Sequence, residues 1–356
     1  MRKFPIQLGL SLSSALLLAL SSSPSAHAQG CVAAHTVQPV VSGLLPNDQR
    51  AAVDRLHGLT VTVGYRVYNS FRHYVGTVEQ IQRETNHNAV VNHVNLFNLD
   101  LSYQLTPRWS LIADIPTMTA TRARQSDPYD NVYRVGGIGD VTVGAQAWVW
   151  RPPTESHGNI AFSAQLKLPT GINDAKGAKI AASGTTTQPF DESVQPGDGT
   201  WGFALGTEAY KETYFHTIGY FTGSWLFSPQ DTTGVLTYRS APGEQVVSAT
   251  DQYLWRGGVS HAVPKLRGVA LSMGGRMEGV PVRDAFGSSN GFRRPGYVIS
   301  IEPGLSVSYR RNMVNISGPW AMERNRKIST SDIMNHSHGD AAFADYTVIA
   351  SYTRSF

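Results

Sequence analysis

The stretch Phe97-Asn-Leu-Asp-Leu-Ser-Tyr-Gln-Leu105, followed by Thr106-Pro-Arg108 and Trp109-Ser-Leu-Ile-Ala-Asp-Ile115, contains the pattern that decides the fold. Apolar residues occupy every second position before the Thr-Pro-Arg segment and again after it. Side chains of a β-strand alternate between two faces, so each arm predicts a strand with one apolar face. The short proline-containing connection between the arms predicts a hairpin.

The same alternation recurs along most of the chain and predicts about twelve strands, an even number. The apolar faces of the other ten strands are marked by the segments Val61–Phe71, Val141–Val149, Ile160–Leu168, Trp201–Leu205, Phe221–Phe227, Tyr253–Val259, Val269–Met277, Tyr297–Tyr309, Val314–Trp320 and Tyr346–Phe356. A repeated hairpin pattern of this kind is typical of an up-and-down antiparallel sheet.

The connections alternate between short and long. Short turns are predicted near Pro107, Pro153, Glu212, Pro264 and Arg311, and long loops at approximately 73–90, 119–138, 169–199, 229–249, 282–295 and 324–342. Short periplasmic turns and longer extracellular loops are typical of outer-membrane barrels. A soluble β-sandwich also has alternating strands, but it gives no reason for loop lengths to alternate.

We therefore predict an all-β fold: a transmembrane up-and-down antiparallel β-barrel over residues 58–356, located in the bacterial outer membrane. Backbone groups in hydrocarbon must all be paired, which requires the first and last strands to close the sheet. Outer-membrane lipid is then one partner, and aromatic residues at the strand ends predict two interfacial girdles. The girdle residues are Tyr103, Trp109, Tyr309 and Phe356 at the short turns, and Phe71, Trp201, Phe227, Tyr253, Trp255 and Trp320 at the loops. We expect the C-terminal Phe356 to be recognised by the barrel-assembly machinery.

The N-terminus has the features of a secretory signal peptide over residues 1–28. Arg2 and Lys3 precede an apolar stretch that is too short to span a bilayer, and Ala26-His27-Ala28 suits cleavage before Gln29. Residues 29–57 form either a plug inside the barrel or a periplasmic tail. The sole cysteine, Cys31, cannot form an intrachain disulfide, and its Ala28-Gln29-Gly30 context leaves lipidation as an alternative.

The composition agrees with a barrel and excludes a nucleic-acid partner. The chain has 34 glycines and 19 prolines among 356 residues, which suits many turns. Its mean hydropathy is only −0.21, as expected when alternate residues face lipid and the rest stay polar. The formal charge of +4 includes Arg2 and Lys3 of the signal peptide, so the mature chain is only weakly basic.

The face opposite the apolar one would line the lumen, and its charged residues have both signs. These candidate lumen-lining residues are Arg66, Asp100, Asp114, Lys167, Glu208, Arg256, Arg276, Glu278, Glu302 and Asp345. A strongly selective ion pore would favour one sign. The residues either pair across the lumen and hold a narrow barrel rigid, or they contact a passing solute.

The segment Asn335-His-Ser-His-Gly-Asp340 contains the closest set of metal-ligand residue types. His336, His338 and Asp340 are weak metal candidates, because alternate residues of an extended segment project to one side, but a solvated loop explains them as well. The position of Ser337 between two histidines suggests a barrel hydrolase as an alternative function. Adjacent strand residues point to opposite faces, so Ser337 cannot easily use either neighbour as a base. We predict no metal, no cofactor and no catalytic residue.

Three glycine-rich motifs resemble a known family. Gly139-Asp-Val-Thr-Val-Gly144, Leu166-Lys-Leu-Pro-Thr-Gly171 and Gln195-Pro-Gly-Asp-Gly-Thr-Trp201 are similar to motifs of the outer-membrane transporter family of the MetA pathway of phenol degradation. The similarity spans roughly strands two to twelve. It implies a β-barrel, and passage of small hydrophobic or aromatic compounds as solutes.

The expected function is therefore a passive outer-membrane channel for small aromatic or hydrophobic solutes. Two alternatives stay open at this point. One is a structural or adhesive barrel with a closed lumen that acts through its extracellular loops, and the other is the hydrolase.

Overall fold

The computed structural model of the protein describes residues 58–150 and 157–356. The signal peptide, the segment 29–57 and Cys31 lie outside these residues, so the predictions for them remain predictions. No helix in the described part of the chain is long and apolar enough to cross a bilayer.

Twelve antiparallel crossings form one closed barrel in the described residues. Two of the crossings are interrupted and so contain two strands each, namely β6 with β7 and β18 with β19. The barrel strands are β1 (Leu59–Ser70), β4 (Val90–Gln104), β5 (Trp109–Arg124), β6 (Val132–Ile138), β7 (Thr142–Trp148), β8 (Gly158–Lys167), β11 (Gly202–Glu212), β12 (Thr217–Phe227), β15 (Gln252–Ala262), β16 (Val269–Val280), β17 (Gly296–Tyr309), β18 (Asn312–Ser317), β19 (Trp320–Arg326) and β21 (Val348–Ser355).

The remaining elements lie in the loops. They are β2 (Arg72–Val75), β3 (Val78–Glu79), α1 (Gln82–Thr85), β9 (Lys176–Ala181), β10 (Gly184–Pro189), a 3-10 helix (Glu192–Val194), β13 (Thr232–Leu236), β14 (Val246–Ser248), α2 (Thr330–Met334) and β20 (Ala341–Phe343). Strand β2 pairs with β20, which connects the loop after β1 to the loop before β21.

The barrel closes where β1 pairs with β21, from Thr60 opposite Ser355 to Val67 opposite Val348. The hydroxyls of Thr62 and Thr353 join the same two strands by a buried hydrogen bond of 2.8 Å. The ladders therefore run round the wall without a break from β1 to β21, while β6 and β19, which belong to the two interrupted crossings, pair along a ladder only with β5 and β17, respectively. The predicted closed twelve-strand barrel is confirmed.

The two faces of the wall differ as the alternation predicts. Outward residues such as Val63 and Leu205 are each 49% exposed, whereas inward Tyr68 and Leu254 are 2% and 0% exposed. The prediction for Phe71 is wrong, because the residue is only 7% exposed. Strand β1 ends at Ser70, and the Phe71 amide then donates to the carbonyl of Phe343, so the alternation does not continue to this residue.

The predicted long loop 119–138 is also wrong in extent. Strands β5 and β6 stay paired as far as Ala123 opposite Val132, which leaves residues 125–131 as the connection. This upper part of the hairpin carries polar residues such as Thr119, Thr121 and Arg122, and a loop in the sequence looks the same. Backbone pairing continues even where the side chains no longer need to be apolar.

Gly144 on β7 offers a test of the wall's packing. A Cβ there would collide with the carbonyl oxygen of Ala164 and lie 2.6 Å from the Cα of Gln165 on β8. We expect Gly144→Ala to destabilise the barrel by about 1–3 kcal/mol, because the backbone must move apart. Gly275→Ala is the matched control, since a Cβ at Gly275 has nothing within 4 Å. Thermal unfolding of both purified variants measures the effect, and equal midpoints would contradict it.

Candidate functional site

Five of the predicted lumen-lining residues form one continuous charge network inside the barrel. Arg66 donates to Glu278 at 2.7 Å, and Arg276 donates to the other oxygen of Glu278 at 2.9 Å. Arg276 also lies 4.0 Å from Glu302, which pairs with Arg256 at 3.1 Å. Positive and negative groups therefore alternate along the network.

The Arg66–Glu278 pair spans part of the interior. Arg66 is on β1 and Glu278 on β16, and β21, β18 and β17 separate these strands along the wall. Their side chains are 3% and 2% exposed. Breaking such a buried pair would leave an uncompensated charge, so the pair links β1 and β16 across the interior.

The other predicted residues lie in four separate places. Asp100 and Asp114 stand opposite each other on β4 and β5, while Glu208 accepts from Gln146 at 3.3 Å. Lys167 pairs with Asp198 and lies 3.8 Å from Asp140.

Asp345 precedes β21 and pairs with Arg324 at 2.6 Å and Arg72 at 3.4 Å. It therefore belongs to the contacts between the loop before β21 and the neighbouring strands β19 and β2.

The three glycine-rich motifs meet at the interruption between β6 and β7. The Asp140 carboxylate accepts from the backbone amides of Gly171 at 2.9 Å and Asp198 at 2.8 Å. A Cβ on Gly171 would lie 2.7 Å from the Cα of Gly197 and 2.8 Å from the carbonyl carbon of Gly139. Only glycine allows this approach of three backbone segments, which fixes both ends of the loop between β8 and β11 to the wall.

This loop, residues 168–201, folds into the barrel; we call it the inserted loop. Its 3-10 helix contacts β5, and Val194 is fully buried against inward residues of the wall. The buried cluster around it contains Tyr68, Val94, Leu96, Met118, Ala120 and Ala344. Apolar burial thus holds the centre of the inserted loop below the barrel rim.

Asp191 is the main electrostatic contact of the inserted loop. Arg294 donates two parallel hydrogen bonds to its carboxylate, at 2.8 and 2.6 Å, in the bidentate geometry that favours arginine. Tyr238 donates to it at 3.0 Å, and Arg122 lies 3.3 Å away. Burial alone would raise the pKa of Asp191, but Arg122 and Arg294 hold that pKa well below its usual range.

The next residue, Glu192, has a different balance between burial and the attraction of neighbouring arginines. Its Oε1 lies 3.3 Å from Nη1 of Arg294, which already donates two hydrogen bonds to Asp191. Burial raises the pKa of Glu192 to about 7, and the Asp191 charge adds to this; Arg294, Arg239 and Arg326 oppose it. The inserted loop therefore carries one carboxylate that stays ionised and one that titrates near neutral pH.

A cavity of about 130 Å³ lies beneath the inserted loop. Its apolar lining includes Leu96, Met118, Leu226, Val235 and Val280, and its charged lining includes Asp114, Asp140, Lys167, Glu192, Asp198 and Arg294. The cavity thus joins the inserted loop to the inward face of the barrel.

The metal candidates have other contacts. His338 Nε2 lies 2.8 Å from the carbonyl of Arg326, and Asp340 pairs with His73 at 2.9 Å and Arg83 at 2.8 Å. Burial opposes ionisation of Asp340, but His73 and Arg83 lower its pKa. Within residues 58–150 and 157–356, no three His, Cys, Asp or Glu side chains are arranged to hold a metal ion. The backbone amide of Ser337 donates to the backbone carbonyl of Asp332 at 2.9 Å.

Sequence reasoning missed Asp191, Glu192, Arg122 and Arg294. Arg122 falls in a segment predicted to be a loop, and the acidic pair lies in a loop that gives no strand pattern. The nearby Gln195-Pro-Gly-Asp motif marks this region, but it does not identify the arginines that contact it.

Comparison with solved structures supports the barrel fold through one similar structure. No family model matches the chain, and no curated protein matches its sequence. The crystal structure of an outer membrane channel from Pseudomonas putida F1 is similar with a TM-score of 0.56 and 13% identity, over 90% of this chain and 100% of that one. The beta domain of the Bordetella autotransporter Brka gives a TM-score of 0.47 and 14% identity, over 85% and 100% of the two chains. A closed barrel with an apolar outer face belongs in the bacterial outer membrane.

Arg294→Met should release the inserted loop. The variant keeps most of the side-chain volume but leaves Arg122 as the one arginine beside Asp191 among the described residues, at a cost of about 3 kcal/mol for breaking a buried pair. We expect faster proteolytic cleavage within residues 168–201. Lys179→Met, on the exposed hairpin of the same loop, is the matched control and should cleave at the wild-type rate. Equal rates in the two variants would show that Arg294 does not hold the loop.

Docking of the inserted loop should weaken as pH rises. In the docked state Glu192 has a pKa of about 7 and keeps its proton up to that pH. In a released loop its pKa returns to the ordinary value of 4.5, and the proton is lost near that pH. The released state therefore gains stability relative to the docked state between these pH values and not above them. Cleavage of the loop, measured from pH 5 to pH 8 with protease activity corrected, should accelerate up to about pH 7. Glu192→Gln should remove the dependence, and a variant that keeps it would contradict this assignment.

Proposed function

We propose that the chain is a passive channel for small aromatic or hydrophobic solutes in the outer membrane. A solute would pass the inserted loop, occupy the cavity beneath it and leave past the charge network toward the periplasm. The cavity is the observation that carries the proposal, because it combines an apolar lining with charged and polar side chains inside a closed wall.

The lining of the cavity favours a mainly apolar solute. Leu96, Met118, Leu226 and Val280 are inward residues at 1–9% exposure, at positions where a water-filled porin would have polar groups. An apolar molecule that leaves water gains about 25 cal/mol per Å² of buried surface. A sugar would gain little there and would lose hydrogen bonds to water.

The charge network supports a narrow exit without strong ion selectivity. Arg66, Arg256 and Arg276 face Glu278 and Glu302, so neither sign dominates. Paired charges of both signs attract neither anions nor cations strongly. We propose that the ten predicted lumen-lining residues contribute to this path to different degrees, with the five of the network at its narrowest part.

The fold comparison supports the same role. The similar structure from Pseudomonas putida F1 is an outer membrane channel, and the two chains share the barrel along nearly their whole length. The low identity carries no information about the solute.

Uptake by whole cells tests the proposal. A porin-deficient Gram-negative host that expresses the chain should take up toluene faster than cells with empty vector, with no gain for a hexose. Leu226→Trp fills the cavity and should reduce toluene uptake to the vector level. Leu205→Trp is the matched control, because Leu205 lies on the same pair of strands but is 49% exposed on the outside.

Two results would contradict the proposal. If the chain is inserted at normal levels and toluene uptake equals that of the vector, the lumen is closed, and the loops become the functional part. If Leu226→Trp transports as well as wild type, solutes do not use this cavity.

A further inference from the structure

An open groove lies on the outer face of the wall near the short turns; we call it the outer groove. Its outward residues form two rows across β8, β11 and β12, with Ile160, Ala209 and Phe221 in one row and Gly158, Lys211 and Gly219 in the next. Phe221 is 41% exposed, whereas the inward neighbours Tyr210 and Tyr220 are only 4% and 5% exposed. The open side of the groove therefore faces the lipid.

The floor of the outer groove is mostly backbone, because Gly219 has no side chain and Ala209 has only a methyl group. A Cβ at Gly219 would have the carbonyl oxygen of Lys211 as its one contact within 4 Å, at 3.9 Å. Phe221 bounds the groove toward the membrane centre, and its ring stacks on Trp255 with centroids 6.0 Å apart. An aromatic wall beside an open floor fits a hydrocarbon chain.

Lys211 lies at the periplasmic end of the outer groove as an exposed cation. Its side chain runs over Gly158, where a Cβ would lie 2.8 Å from the Cδ of Lys211. The adjacent Glu212 pairs with His157 at 2.9 Å, and adjacent strand residues point to opposite faces. Within residues 58–150 and 157–356, no carboxylate forms an ion pair with the Lys211 ammonium group. The groove therefore has a positive charge at its water-facing end.

The neighbouring short turns are also basic. At residues 105–108, 211–216, 263–268 and 309–312 these turns carry Arg108, Lys211, Lys265, Arg267, Arg310 and Arg311, with Glu212 as their one acidic side chain. Cations close to a membrane surface attract anionic lipids by about 1 kcal/mol for each Lys or Arg. This rim of the barrel therefore complements anionic headgroups.

An anionic phospholipid matches both parts of the outer groove. Phospholipids form the periplasmic leaflet of the outer membrane, so they are the molecules that contact this end of the wall. The phosphate would accept from Lys211, and an acyl chain would lie over Ala209 and Gly219 against Phe221. A zwitterionic lipid fits less well, because its own ammonium group already neutralises its phosphate.

We infer that the outer groove is a binding site for one anionic phospholipid of the periplasmic leaflet. The site lies on the lipid-facing side of the wall, whereas the cavity and the charge network lie on the inward side. It is therefore independent of the proposed solute path, and its test needs no transport measurement.

Native mass spectrometry of the purified full-length protein with phosphatidylglycerol or phosphatidylethanolamine tests the inference. We expect phosphatidylglycerol to bind roughly fivefold more tightly, which corresponds to about 1 kcal/mol. Lys211→Met keeps an unbranched side chain and should abolish this preference. Arg311→Met is the matched control, because it removes the same charge from a different short turn and should keep the preference.

A second pair of variants tests the apolar part of the site. Gly219→Leu fills the outer groove and should weaken the binding of both lipids, and the space around its Cβ admits the side chain. Gly275→Leu is the matched control, since a Cβ at this outward glycine of β16 has nothing within 4 Å and the groove is unchanged.

Equal affinity of the wild-type protein for the two lipids would overturn the inference, and this comparison needs no variant. Equal losses of preference in Lys211→Met and Arg311→Met would also overturn it, because the rim would then attract anionic lipid without a defined site. Unchanged lipid binding in Gly219→Leu would overturn it as well, since no acyl chain would then occupy the groove.

Discussion

The pairing of β1 with β21 is the contact on which the rest of the structure depends. Backbone amides and carbonyls in hydrocarbon have no water to bond, so an open strand edge is excluded there. Eight consecutive register pairs, from Thr60–Ser355 to Val67–Val348, remove both free edges at once. Closure then defines an inside and an outside, and every polar side chain on the inward face must find its partner within the barrel.

The interior meets this requirement in two ways. Near β16 the charges pair with one another, so Arg66, Arg276 and Arg256 alternate with Glu278 and Glu302. Near β5 the inserted loop supplies Asp191 as a partner for arginines on the wall and covers apolar residues with Val194. The acidic pair on β4 and β5, Asp100 and Asp114, forms no ion pair with an arginine, lysine or histidine of the described residues, and Asn98 donates to Asp114 there. The cavity lies beneath the inserted loop, and its apolar lining is the reason that we place the solute there.

Much of the barrel could be predicted from the sequence, and most of the inserted loop could not. Period-two alternation depends only on residues close together in the sequence, so a hairpin such as Phe97 to Ile115 is predictable from the sequence alone. The break at Pro319 was not predicted, although proline cannot donate to a ladder and β18 and β19 separate there. The pair of Asp191 and Arg294 joins positions 103 residues apart, and no local pattern indicates it.

The inserted loop controls passage in this account, and a reversible crosslink tests that most directly. In a Cys31→Ser background, Val194→Cys and Met118→Cys would join the loop to β5, because both side chains belong to one buried cluster. Single-channel conductance of the purified double variant would be recorded in a planar bilayer before and after reduction. We expect low conductance in the oxidised protein and a steady increase when the disulfide is reduced. Equal conductance in the two states, with crosslinking verified, would contradict the role of the inserted loop.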